Sequence, residues 1–150
     1  MAGYSGTPLA QKLGVKAGHA VIVLGAPEGF TTELATTLPD GVVVRTRAAG
    51  RADVVLAFFT RRRDLDGRVD ALLRVLDVDG GLWIAWPKKA SGRPTDMTEH
   101  AVREVFLPLG LVDNKVAAVD ETWSGLRVVW RRERRAGRRL GPGPAGPAVG

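Results

Sequence analysis

The sequence predicts an α/β domain of the Rossmann-like kind: a mostly parallel sheet covered by helices, with a C-terminal antiparallel hairpin. Three observations carry this expectation. The runs H-A-V-I-V-L at 19–24 and A-D-V-V-L-A-F-F at 52–59 have strand length and almost no polar face, the mark of strands buried on both sides. Segments of helical period alternate with them, which favours a parallel sheet with right-handed crossovers. Two last strand-like segments, 111–119 and 126–132, are separated only by residues 120–125, a spacing suited to an antiparallel hairpin.

The elements follow in order. Residues 7–14 read as a short helix, with Thr7 as its cap, Pro8 at its first position and Gly14 as its stop. After the strand at 19–24 comes the turn Gly25-Ala26-Pro27-Glu28-Gly29, then a helix over 31–38 closed by Pro39-Asp40-Gly41. A short strand spans 41–45, and the strand at 52–59 follows it. Thr60 is placed to cap the longest helix, 61–76, whose Leu65, Val69, Leu72, Leu73 and Leu76 share one face. Asp64/Arg68 and Asp70/Arg74 have i,i+4 spacing on the other face. Asp79-Gly80-Gly81 turns the chain into a fourth strand over 82–86. A polar loop, 87–95, leads to a helix that Asp96 and Glu99 open with capping-box spacing. In the last strand Leu126, Val128 and Trp130 alternate with Arg127, Val129 and Arg131.

Composition sets bounds on function. A chain of 150 residues fits one domain with a core of its own. Its 45% hydrophobic and 25% charged residues are ordinary for a globular protein. The absence of cysteine excludes disulfides, thiolate nucleophiles and cysteine-based zinc sites. The start M-A-G-Y-S-G has no apolar core of the signal-peptide kind, and no apolar run is long enough to cross a membrane. The expectation is a cytoplasmic protein with no membrane partner.

The net charge of +6 is unevenly placed. Residues 131–150 hold six arginines against Glu133 alone, which leaves sixteen basic and fifteen acidic residues before them. The expected organisation is therefore a nearly neutral domain over 1–135 and a disordered, basic, Gly/Pro-rich tail over 136–150. A tail with charge but no aromatic residues is expected to make only non-specific contact with nucleic acid.

Candidate site residues fall in three loops. Ligands of open α/β sheets bind beyond the carboxyl ends of the strands, which singles out Gly25 and Gly29 after the first strand. A dinucleotide fingerprint needs G-x-G-x-x-G, but only these two glycines are present and Pro27 removes an amide donor. The acid expected at the end of the second strand is replaced by Arg45. A tight turn accounts for the same residues. In the second loop, W-P-K-K-A-S-G-R-P-T-D at 86–96, Lys88, Lys89, Ser91 and Asp96 stand before a helix N-terminus. They suit a small anionic ligand, or a solvated loop with a capping aspartate. In the third, Asp120, Glu121 and Trp123 combine two carboxylates with an indole. They suit acid/base or oxygen-ligand work, or an Asx turn with a packed tryptophan. No G-x-S-x-G elbow or phosphate-loop lysine motif is present, and His19 and His100 sit in no ligand-spaced motif, so neither is expected to be catalytic. These motifs name no cofactor and no oligomeric state.

The layout resembles a shortened S-adenosylmethionine-dependent methyltransferase fold, in which a Gly-Gly strand and a helix precede a C-terminal hairpin, as Gly80-Gly81-Leu82-Trp83-Ile84 does here. Three stretches are more specific: Y-S-G-T-P-L-A-Q-K-L-G at 4–14, W-P-K-K-A-S-G-R-P-T-D at 86–96 and V-D-E-T-W-S-G-L at 119–126. Together they resemble a family of small bacterial proteins of unknown function, common in actinobacteria, over residues 4–133. The resemblance implies a bacterial α/β protein and carries over no catalytic residue. Three functions compete. First is a non-catalytic ligand-binding or regulatory module that keeps a Rossmann-like shell. Second is a divergent S-adenosylmethionine-dependent methyltransferase, and third is nucleic-acid contact through the tail.

Overall fold

The computed structural model describes the backbone of residues 7–140 and the side chains of residues 7–136. One strand in from an edge of its sheet lies β1 (Ala20–Leu24), whose side chains leave no polar face. Ile22 and Leu24 point into one core, and Val21 and Val23 into another on the opposite face. Burial on both sides explains the unbroken apolar run. β2 (Val43–Arg45) and β3 (Ala52–Phe58) pair with β1 in parallel on its two sides. β4 (Leu76–Pro87) continues the parallel set beyond β3. β6 (Trp123–Trp130) and β5 (Leu111–Ala118) complete the sheet as antiparallel strands. The order is β2-β1-β3-β4-β6-β5, so the expected mostly parallel sheet with a C-terminal hairpin is present.

Helices cover both faces. α1 (Leu9–Leu13) and α2 (Phe30–Ala35) bury Leu9, Leu13, Phe30 and Leu34 with Val54, Leu56 and Trp83. On the other face α3 (Arg62–Asp66), α4 (Val69–Val75) and α5 (Glu99–Phe106) bury Leu65, Leu72, Val102 and Phe106 with Val55, Ile84 and Leu126. Trp83 is fully buried, and its indole Nε1 donates to the Leu13 carbonyl at 3.0 Å. That bond ties the end of α1 to the middle of the sheet. Asp53, the one polar residue of its apolar strand, accepts from the Ala20 amide at 2.8 Å through Oδ2 and satisfies the first donor of β1. No helix of the described residues is long and apolar enough to cross a membrane.

Several elements depart from expectation. The helix expected over 61–76 is two helices, because the chain tightens at Gly67 and Arg68, where the Arg68 amide bonds to Leu65 rather than continuing an α-helical ladder. Asp64 and Arg68 therefore lie on either side of the break and form no ion pair. The Asp79-Gly80-Gly81 turn is instead part of β4. Between Ala52↔Leu76 and Val54↔Gly81 the register jumps, and β4 absorbs the extra residues as a bulge. Gly80 permits this: a Cβ there would lie 2.7 Å from the Asp53 carbonyl. At the next capped helix, Thr98 rather than Asp96 caps α5, its side chain accepting from the Ala101 amide at 2.9 Å. A threonine hydroxyl, carried on Cβ, reaches the third amide, the usual geometry of a cap. After β6 the chain forms α6 (Arg132–Leu140), so the expected boundary at 135/136 falls inside a helix. Residues 141–150 of the expected tail lie outside the described residues.

Candidate functional site

The strand order fixes where a crevice must open. From β1 the chain places β2 on one side and β3 on the other, so loops leaving β1 and β3 diverge. This is a topological switch point, where open α/β sheets bind their ligands. A cleft of about 600 Å³ lies there, lined by Leu24 and Gly25 from the end of β1, and by Phe58, Phe59 and Thr60 from the end of β3. α3 and the turn after it add Arg63, Asp64, Gly67 and Arg68, and β6 adds Trp123. Its volume is that of a small-molecule site.

The cleft has an aromatic wall and a charged rim. Phe58 packs edge-on against Phe30 at 5.0 Å and against Trp123 at 5.1 Å between ring centroids. Such edge-to-face pairs hold rings in fixed orientations. Gly25 sits with φ 69°, and a Cβ there would lie 3.2 Å from the Phe58 carbonyl. Glycine thus lets the ends of β1 and β3 approach closely while the chain turns into α2. Arg63, Asp64 and Arg68 are exposed at the rim, and among the described residues neither arginine forms an ion pair. Above Trp123, the guanidinium carbon of Arg93 lies 5.9 Å from the ring centroid, within cation–π range.

The residues expected from sequence are distributed around this cleft rather than gathered in it. Gly25 and Trp123 line it. Gly29 is the N-cap of α2, with φ 84°. Lys88 precedes a short 3-10 turn, Lys89–Ser91. There Ser91 Oγ donates to the Lys88 carbonyl at 2.6 Å and accepts from the Arg93 amide at 3.2 Å. Lys89 is exposed. Asp96 borders a smaller hollow of about 400 Å³ with Thr60, Arg61, Pro94 and Thr95. Its Oδ1 accepts from the Arg62 amide at 2.8 Å. Asp120 Oδ1 accepts from the amides of Thr122 and Trp123, both at 2.8 Å, and so builds the Asx turn that delivers Trp123 to the cleft. Glu121 is exposed on that turn. Among the described residues, no group of three or more histidines, aspartates or glutamates is placed to hold a metal ion.

A family described as Protein of unknown function (DUF3052) matches residues 10–132. The chain belongs to this family. No curated protein matches the sequence. Solved structures similar to the DUF3052 chain include methyltransferases. A SAM dependent methyltransferase from Aquifex aeolicus has TM-score 0.62 at 17% identity, over 80% of this chain and 86% of that one. The ribosomal protein L11 methylase of Lactobacillus delbrueckii subsp. bulgaricus has TM-score 0.56 at 10% identity, over 82% and 75%. Fibrillarin from Aeropyrum pernix, solved with natively bound S-adenosyl-L-methionine, has TM-score 0.55 at 13% identity, over 81% and 73%. At these identities the likeness is one of fold, and fold does not fix function. It bears out the expected methyltransferase-like shell.

Reading the DUF3052 sequence alone misses Phe58, Phe59, Thr60, Arg63 and Arg68 as cleft residues. The signal was present: Phe58-Phe59-Thr60 stands at the end of a strand that is apolar but for Asp53. Which strand end faces β1 depends on the sheet order, and sequence spacing does not carry that order.

Proposed function

We propose that the DUF3052 chain is a ligand-binding or regulatory module that takes a small anionic molecule bearing a planar ring in the cleft between the carboxyl ends of β1 and β3. The observation that carries this reading is the coincidence of that cleft with the topological switch point of the sheet. The aromatic wall of Phe58 and Trp123 suits a flat ring, and Arg63 and Arg68 suit the negative charge. The non-catalytic part of the reading rests on the departures from a cofactor fingerprint. Pro27 stands in the glycine turn. Arg45 stands where an acid would hold a ribose, and its guanidinium instead donates to the carbonyls of Ala49 and Arg51 at 3.2 and 3.3 Å. A bacterial, cytoplasmic setting goes with this reading, supported by the cysteine-free composition.

A divergent S-adenosylmethionine-dependent methyltransferase is the second reading, favoured by the methyltransferase fold of its structural relatives. One series tests both. The full chain is screened by thermal shift against nucleotides, S-adenosyl compounds and sugar phosphates, and hits are titrated by calorimetry, since a specific ligand raises the melting point by mass action. A nucleotide or sugar-phosphate hit that Arg68→Gln weakens supports the first reading. Saturable S-adenosylmethionine binding with methyl transfer to a substrate overturns it in favour of the second. No shift with any compound sinks both.

A further inference from the structure

The switch-point cleft carries three charges that the fold itself does not use. Arg63, Asp64 and Arg68 line it from α3 and the turn that follows. Among the described residues, none of the three forms an ion pair or a side-chain hydrogen bond. The spacing of Asp64 and Arg68 suits an ion pair within one helix, but the chain tightens between them and keeps them apart. The lining therefore offers both signs to whatever enters.

Gly67 lines the same cleft, between Asp64 and Arg68 in the chain. Its φ of −73° lies in the ordinary helical region. A Cβ there would meet only the carbonyls of Arg63 and Asp64, both at 3.7 Å, which is normal contact. Gly25 differs, because its positive φ and the nearby Phe58 carbonyl both demand glycine. At Gly67 neither backbone nor packing makes that demand, and glycine's freedom in the unfolded chain costs stability. What its missing side chain leaves open is the cleft.

A ligand here has to answer both signs. Guanidiniums take a phosphoryl group through paired N–H donors. A carboxylate only accepts hydrogen bonds and repels phosphate, so the part of a ligand that lies against Asp64 must bring donors. The adjacent hydroxyls of a ribose bring them, the contact that an acid makes in dinucleotide-binding α/β sheets. That acid is expected at the end of β2, where Arg45 stands and bonds to its own loop. Asp64 offers a carboxylate from α3 instead. Resting on the reading of the cleft given above, we propose that its ligand is a ribonucleotide. The base lies against Phe58 and Trp123, the sugar hydroxyls donate to Asp64 in the space left by Gly67, and Arg63 and Arg68 hold the phosphate.

The test is calorimetric titration of the full chain with adenosine, guanosine, cytidine and uridine 5′-monophosphates and their 2′-deoxy counterparts. At least one ribonucleotide is expected to bind saturably and about tenfold tighter than its deoxy form, as loss of a hydrogen bond to a charged acceptor should read. Asp64→Ala is expected to bring the two forms to equal affinity. The ratio is the readout, because this variant also removes a charge that repels phosphate and so shifts both forms together. Gly67→Ala is expected to weaken ribonucleotide binding while melting at or above the wild-type temperature, since alanine fits the backbone there. Equal affinity of the two forms for the wild type, a ratio that survives Asp64→Ala, or wild-type affinity in Gly67→Ala overturns the proposal. In each of those cases, weaker binding by Arg68→Gln still keeps the cleft as the site, so the two readings fail separately. Absence of binding by every monophosphate also overturns the proposal, and the cleft reading then rests on the remaining compounds of the thermal-shift screen.

Discussion

Asp96 caps a helix from outside it: its Oδ1 accepts a 2.8 Å hydrogen bond from the amide of Arg62, the first residue of α3. The two are 34 positions apart, so the bond joins the loop after β4 to the helix after β3. A free amide at a helix start is costly, and removing such a cap costs about 1 kcal/mol. Asp96→Ala is expected to lower the unfolding free energy by about that amount, read as a lower urea midpoint, while Asp96→Asn keeps most of the stability. An unchanged midpoint in the alanine variant would show that the bond contributes nothing in solution.

Trp83 offers a test of the join between α1 and the sheet. Trp83→Phe keeps an aromatic ring but removes the Nε1 donor and leaves the Leu13 carbonyl unpaired in a buried place. The expected loss is about 1–3 kcal/mol. Trp86 has no such bond, so Trp86→Phe should cost less in the same denaturant series. Equal costs would mean that ring area, and not the hydrogen bond, makes the join.

The neighbouring glycines of β4 should respond in opposite ways. A Cβ on Gly80 meets the Asp53 backbone carbonyl at 2.7 Å, and a backbone cannot step aside without breaking the β3–β4 ladder. Gly80→Ala is expected to destabilise by about 1–3 kcal/mol, the usual cost of forcing extra volume into a packed site. A Cβ on Gly81 meets only the far end of the Arg127 side chain, which can swing out. Gly81→Ala should therefore unfold near the wild-type midpoint. Thermal melts of the two variants read both effects, and a Gly81→Ala variant that melts as early as Gly80→Ala would count against this distinction.

Lys12 gives a prediction at alkaline pH. Burial, then the nearby Lys88 and Lys115, hold its ammonium below the ordinary value of 10.5, against the opposing pull of Asp120. Between that lowered value and 10.5, the unfolded chain holds more protons on this group than the folded chain. Stability contributed by Lys12 must then rise as the pH climbs through the window. Below it both states are charged, and the burial cost is borne in full. Lys12→Met has nothing to titrate, so the stability of wild type relative to Lys12→Met should increase with pH across that range. Urea midpoints of the two proteins at stepped alkaline pH check the sign, and a flat difference would contradict it.

Much of the fold was legible because the decisive signals are local. H-A-V-I-V-L has no polar face and is buried on both sides in β1. The alternation of Leu126, Val128 and Trp130 with Arg127 correctly marks the two faces of β6. What failed depended on partners distant in sequence. Asp96 has the spacing of a cap for α5, but the amide it satisfies belongs to α3. Gly80-Gly81 has turn composition, yet the pair stays extended because its missing side chains admit Asp53 on one side and Arg127 on the other. The site divides the same way. Gly25 was visible from the strand it ends, and Asp120 was visible as an Asx turn. Asp64 and Arg68 read as an i,i+4 pair on an outer face, since neither the break at Gly67 nor the sheet order that opens the cleft beside them is written in their spacing.

The sheet ends in two rims of different make. On one side β2 offers only Val43–Arg45, three residues of unpaired backbone. On the other, β5 breaks register between Asp113 and Lys115 and turns Asn114 and Lys115 outward. A short rim and a kinked rim that carries Lys115 are both poor templates for a neighbour's strand. Crowded copies of the folded chain should therefore resist zipping together edge to edge, and light scattering at rising concentration would reveal any failure of that protection.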